Sequence, residues 1–296
     1  MIRLLISFIL LLLGLDSFAQ HAYFATKGSI QYEKVVYTKA RMRDLMAKHG
    51  GNRGMMYMGN IDEMPESSTS NFLLQFDETQ TVMSPIDMGT PVKSTMTAPS
   101  ITKGGRSSSG GSRGGTGGSP RNNNTGGNRM GGMMRGNNKM GDKIYVQNLK
   151  SRISEVQLQI DEKILIKDSL QQVTWRFTDE FRTIAGYECR RVNGATKDSL
   201  YLIAFYSEEI PVSAGPVLTN GLPGMILGLV IPEMHINYWA TEVKFTNDGI
   251  SNSWRDKKAK EMTANEFFKL LSGSIFRGRG GNESEQRRQI LEQIIY

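Results

Sequence analysis

Apolar residues recur at every second position in short runs along most of this chain. Ser29 to Tyr37 alternates in this way, and Asn71 to Phe76 and Thr81 to Met83 follow. After a long interruption come Lys143 to Gln147, Arg152 to Gln159, Ile164 to Ile166, Val173 to Phe177, Phe181 to Ile184 and Tyr187 to Val192. Leu200 to Tyr206 and His235 to Phe245 extend the series. Period-two runs of this length predict strands that bury one face. Asn193-Gly194 predicts a hairpin turn, and Asn247-Asp248-Gly249 a second one leading into a strand over Ile250 to Trp254. The period changes to a helical one in three places. Arg41 to His49 predicts a short helix ended by Gly50-Gly51. Thr263 with Glu266 predicts a capping box for a helix through Leu271. Ile290, Leu291, Ile294 and Ile295 form the apolar stripe of a further helix over Ser284 to Ile295. The expected class is mainly β with some α (α+β). It is a curved antiparallel sheet, a half-barrel in its most closed form, with one or two C-terminal helices.

One stretch, Ser207 to Ile231, departs from alternation. Pro211, Pro216 and Pro223 fix φ and remove donors, and Gly215, Gly221 and Gly224 open angles closed to other residues. Leu222-Pro223-Gly224 predicts a type II turn with positive φ at Gly224. The continuous apolar run Met225 to Ile231 is too short to span a bilayer and has the length of a buried strand. Gly221-Leu222-Pro223-Gly224-Met225-Ile226 resembles the signature of the GLPGLI family of Bacteroidetes envelope proteins. Trp175, Ile184-Ala185-Gly186-Tyr187-Glu188-Cys189, Ala204-Phe205-Tyr206, Ile210-Pro211 and Gly215-Pro216 support the resemblance, which covers roughly Gly28 to Phe245. Met225 departs from the family's Leu, and Thr219 stands where an aromatic is expected. The resemblance implies a periplasmic or cell-surface setting, no known activity, and association with outer-membrane uptake receptors.

Domain organisation follows from composition. Arg3, the apolar run Leu4 to Leu15 and Ser17-Phe18-Ala19 read as an export signal over 1–19, leaving one β-rich domain over 20–296. That domain is interrupted at 88–141 by a Gly-, Ser-, Asn-, Arg- and Met-rich insert, which lacks the apolar residues needed to offset ordering entropy and is expected to be disordered. The insert carries eight basic residues and no acid, against +7 for the whole chain, so the remainder is close to neutral. The basic charge therefore bears on the insert's partners rather than on the fold. In an exported protein a plain solvated loop is the default reading and contact with anionic lipid head groups or surface polysaccharide the alternative, with no nucleic acid expected.

Several chemistries are excluded. G-x-S-x-G occurs only at Gly110 to Gly114, in the insert, where nothing would orient Ser112, and no phosphate loop or dinucleotide fingerprint occurs. His21, His49 and His235 have no paired metal spacing, and His235 reads as a half-exposed strand residue. Adjacent Glu208 and Glu209 point to opposite faces of an extended chain and cannot flank one bond. Cys189, the single cysteine, reads as a buried small hydrophobe. Methionine is abundant, with Met55, Met56, Met58 and Met64 in one cluster and Met130, Met133, Met134 and Met140 in the insert. Thioethers suit Cu(I), which makes metal handling an alternative, although neighbouring arginines repel a cation.

These readings converge on a non-enzymatic exported binding or accessory module without a cofactor. Its expected site is the loop of Ile210, Pro211, Gly215, Pro216, Gly221, Leu222, Pro223 and Gly224. Beside it an apolar groove lined by Trp175, Phe205, Ile226 and Trp239 is expected. Surface adhesion through the insert is the remaining alternative.

Overall fold

The computed structural model describes residues 26–48, 61–86, 143–275 and 295–296. The signal-like segment, the insert, most of the Ser284–Ile295 pattern and all the clustered methionines except Met64 lie outside them. Twelve strands form one curved, unclosed sheet. They are β1 (Gly28–Val36), β2 (Ser68–Phe76), β3 (Gln80–Pro85), β4 (Ile144–Asn148), β5 (Ile153–Gln159) and β6 (Lys163–Ser169), then β7 (Val173–Ile184), β8 (Tyr187–Thr196), β9 (Tyr201–Ser207), β10 (Met225–Ile231), β11 (Ile236–Phe245) and β12 (Lys260–Thr263). Helix α1 (Thr38–Lys48) follows β1, and α2 (Ala264–Ile275) follows β12. The spatial order is β12-β6-β5-β4-β3-β2-β1-β11-β10-β9-β8-β7. All pairings are antiparallel except β12 with β6. Strands β6 and β7 stand near opposite ends of this order, yet only Leu170 to Gln172 join them. A link that short forces the sheet to roll until its two ends approach.

The register shows what the rolled sheet encloses. Ile166, Val156, Tyr145, Met83, Leu74 and Ile30 form one cross-strand row over β6 to β1. Tyr238, Leu229, Ala204, Val192 and Phe177 form another over β11 to β7. All of these except the edge residue Phe177 are buried, so both rows define the inner face. This is the face that the period-two pattern predicts.

Four local expectations are corrected. Asn193-Gly194 does not turn; it lies within β8, where Gly194 opposes Trp175 and Leu202. A Cβ on Gly194 would meet the Trp175 ring at 2.6 Å, so glycine serves close packing here. The two runs flanking Thr178 are one strand, β7, with a bulge between Phe177 and Phe181. No strand forms over Ile250 to Trp254, because β1 and β10 already occupy both edges of β11; a 3-10 turn covers Asn252–Trp254 instead. His235 lies outside the strand as the left-handed cap of a 3-10 turn, with Nε2 2.8 Å from Asp44. The capping box forms as expected: Glu266 N–H donates to Thr263 Oγ1 at 3.2 Å, and Thr263 N–H to Glu266 Oε2 at 2.7 Å. Among the described residues no helix is long and apolar enough to cross a membrane.

Candidate functional site

The β9–β10 connection, residues 208–224, folds back into the sheet and covers its inner face. Ile210, Val212, Ala214, Val217, Leu218, Thr219 and Leu222 are all buried. So long a loop can be buried only if its backbone finds partners. Gln147, on β4, donates from Nε2 to the carbonyls of Gly215 (3.1 Å) and Val217 (3.2 Å). Val217 N–H donates to Met83 Sδ at 3.0 Å. Trp175 Nε1 donates to Asn220 O at 3.0 Å, and Asn220 Nδ2 to Gln171 O and Leu218 O. Tyr32 hydroxyl, fully buried, donates to Ile226 O at 2.6 Å. Val217 is β-branched yet has φ 63°. Such strain persists only where surrounding contacts over-determine the backbone, as these bonds do.

Within the loop the expected site residues divide. Ile210, Gly215, Pro216, Leu222 and Gly224 are buried, whereas Pro211, Gly221 and Pro223 reach the surface. The expected type II turn is absent, since positive φ falls on Gly221 (φ 90°) and not on Gly224. Gly224 is required for another reason: a Cβ there would run into the main chain of Ser207 and Glu208. Thr219, in the place expected for an aromatic, is buried and donates from Oγ1 to Pro216 O at 2.7 Å.

The expected groove of four side chains does not form. Register places Trp175 and Ile226 on the inner face, where Ile226 is fully buried and Trp175 is bonded to the loop. Gly228 opposes both Phe205 and Trp239, which puts these two on the outer face. Their ring centres lie 5.6 Å apart, and the Arg182 guanidinium sits 4.6 Å above Trp239. The sheet itself separates the two pairs, because adjacent strand positions point to opposite faces.

The open space lies at the seam. A cavity of about 670 Å³ is bounded by β5, β6, the β6–β7 and β8–β9 connections, the start of α2 and Tyr296. Val156, Ile166, Leu200, Leu218 and Phe267 give it an apolar floor; Arg152, Asp168, Gln171, Lys197 and Asp198 give it a polar rim. This size and lining suit a small amphipathic molecule. Sequence reasoning missed it because its walls come from six separate segments. Gln147, a polar inner-face position on a strand that opens with Ile144-Tyr145-Val146, was a signal that something polar sits inside.

Cys189 is fully buried, and burial pushes its thiol up to about 12. Glu208 and Glu209 are both exposed, with Glu208 Oε1 accepting from Tyr206 hydroxyl at 3.1 Å. Among the described residues no three His, Cys, Asp or Glu side chains are grouped to hold a metal.

Residues 192–228, which contain the buried loop and its proline-glycine bend, match the sequence model of a family described as protein of unknown function (Porph_ging). The chain is thus similar to that family over this stretch. No curated protein matches the chain. Two solved structures of PNGF-II, in different crystal forms, are similar at TM-scores of 0.48 and 0.46, with 12% and 11% identity. Each alignment covers 83% of this chain and 33% of PNGF-II, so the chain spans about a third of that protein's length.

Proposed function

We propose that this is a non-enzymatic, exported envelope protein that binds a small ligand in the cavity at the seam of its rolled sheet. The observation that carries the reading is the partition of the inner face. Most of it is filled by the 208–224 loop, pinned by Gln147, Met83, Trp175 and Asn220. Beside that rigid filling an apolar floor stays uncovered under a polar rim. Preorganised walls lower the entropic cost of binding, and a depression of this kind is the usual seat of a ligand. In this reading the proline-glycine bend does not touch the ligand. It shapes the wall, through Leu218, that the ligand meets. The export signal and the family resemblance support an envelope setting, in which an uptake receptor is the proposed partner.

Titration with a neutral fluorescent apolar probe tests the reading. Saturable one-site binding is expected, and Ala264→Phe, which fills the cavity from the first residue of α2, should abolish it without lowering the melting temperature. Absence of saturable binding, or binding indifferent to the filled cavity, rejects the proposal.

A further inference from the structure

The inner face carries a short polar row. Thr81 on β3 is directly opposite Gln147 on β4, and Gln147 is directly opposite Ser154 on β5. Gln147 is 0% exposed, Thr81 1% and Ser154 5%. Ser154 borders the cavity and donates from Oγ to the carbonyls of Asp168 (3.2 Å) and Ser169 (3.1 Å). At the other end of the row, opposite Thr81, stands buried Phe76 on β2.

The Gln147 amide has one tenable orientation. Its Nε2 donates to Gly215 O and Val217 O, and turning the group over would set oxygen against two oxygens. Oε1 is therefore left as a buried acceptor, and it has no partner among the described residues. Thr81 Oγ1 is in the same state. Three further buried side-chain atoms there lack a partner, namely Asn193 Oδ1, Ser207 Oγ and Trp254 Nε1, but only Thr81 and Gln147 stand opposite each other. Two orphaned oxygens on facing residues are not two separate defects, because one small group between them satisfies both. Side chains directly opposite across an antiparallel pair have Cβ atoms about 4.5–5.5 Å apart, which leaves room for a single bridging oxygen. A hard cation takes about six oxygen ligands, and an apolar group would leave both atoms unpaired. Water fits, since it both donates and accepts and is held inside proteins by such groups.

We propose that one internal water is bound between Thr81 and Gln147. The Thr81 hydroxyl donates to the water, the water donates to Gln147 Oε1, and the Gln147 amide donates to the two loop carbonyls. Bonds in such a chain polarise one another. The water holds the Gln147 side chain in the rotamer that reaches the loop, so Thr81 is a positioning residue for the 208–224 connection. This is independent of what the cavity binds.

The test combines water-oxygen-17 relaxation dispersion, which counts long-lived internal waters, with thermal melting and hydrogen exchange of the full chain. Thr81→Val keeps the side-chain shape and removes the hydroxyl. It should lose one long-lived water, lower the melting temperature by about 2–4 °C and speed exchange at the Val217 amide. Thr81→Ser, which keeps the hydroxyl, should retain the water. A hydroxyl with no partner behaves in the opposite way, because replacing it by a methyl group leaves stability unchanged or raised. An unchanged water count with an equal or higher melting temperature in Thr81→Val therefore overturns the proposal. High-resolution diffraction from the unaltered protein decides the matter should Thr81→Val fail to fold. An oxygen peak within hydrogen-bond reach of both Thr81 Oγ1 and Gln147 Oε1 is expected; a gap without density, or a direct bond between the two side chains, overturns it.

Discussion

Replacing Gln147 by leucine asks whether the inward loop is held by its backbone bonds or merely rests on an apolar surface. The side chain is fully buried and serves two loop carbonyls, those of Gly215 and Val217. Leucine has nearly the same reach but no donor. Each carbonyl loses a bond with a net value of about 1 kcal/mol, and a buried acceptor left unpaired costs about 1–3 kcal/mol. Some of this is offset, because leucine also removes Gln147 Oε1, which has no partner among the described residues. The expected loss is about 2–4 kcal/mol, or a fall in melting temperature of about 5–15 °C for a domain of this size. Urea unfolding measures it, and hydrogen exchange at Val217 and Thr219 reports whether the loop loosens first. Gln157→Leu is the control. Gln157 also makes two side-chain bonds, to Trp254 O and from Asp256 N–H, but at a partly exposed site. It should cost about 1 kcal/mol or less. A loss below about 0.5 kcal/mol for Gln147→Leu, with loop exchange unchanged, refutes the claim that this residue pins the loop.

Two further outcomes follow from the same geometry. Gly224→Ala drives a Cβ into the Ser207 carbonyl between two buried strands and should cost about 2–4 kcal/mol, more than Gly221→Ala, whose cost is the left-handed strain of about 1 kcal/mol; the reverse order in denaturant titrations contradicts the assignment of roles. Lys34 and Lys143 titrate near 8 and 7 in the fold against 10.5 when exposed, so the unfolded chain binds more protons between these values and stability should rise with pH from about 7 towards 10.5; buried Tyr145 and Tyr238 oppose this only above about pH 10, and a flat or falling profile, or one unaltered by Lys143→Met, counts against it.

Most of the strand pattern was legible because it is local. Alternation in Ser29 to Tyr37 or His235 to Phe245 reflects one buried face, whichever strand pairs alongside. The capping box of Thr263 and Glu266 needs only three residues of spacing. Legibility failed where a residue answered to a distant neighbour. Gly194 resembles a turn glycine until Trp175 is seen lying across it, and Gly224 resembles a positive-φ glycine until the Ser207 main chain is seen beside it. The failed strand after Gly249 has the same origin, since its absence was decided by the occupied edges of β11.

The candidate site divides along the same line. The sequence alone determined that the 207–231 stretch is special, that it ends in a buried strand, and that no phosphate-loop, dinucleotide or paired-histidine motif is present. Residue types and spacings carry that information directly. Only the tertiary structure decided that the loop turns inward, that Trp175 and Trp239 lie on opposite faces, and that Gln171, Leu200 and Phe267 meet at one cavity. Those relations depend on how a twelve-stranded sheet rolls, and rolling sums small twists over many strands that no local pattern encodes.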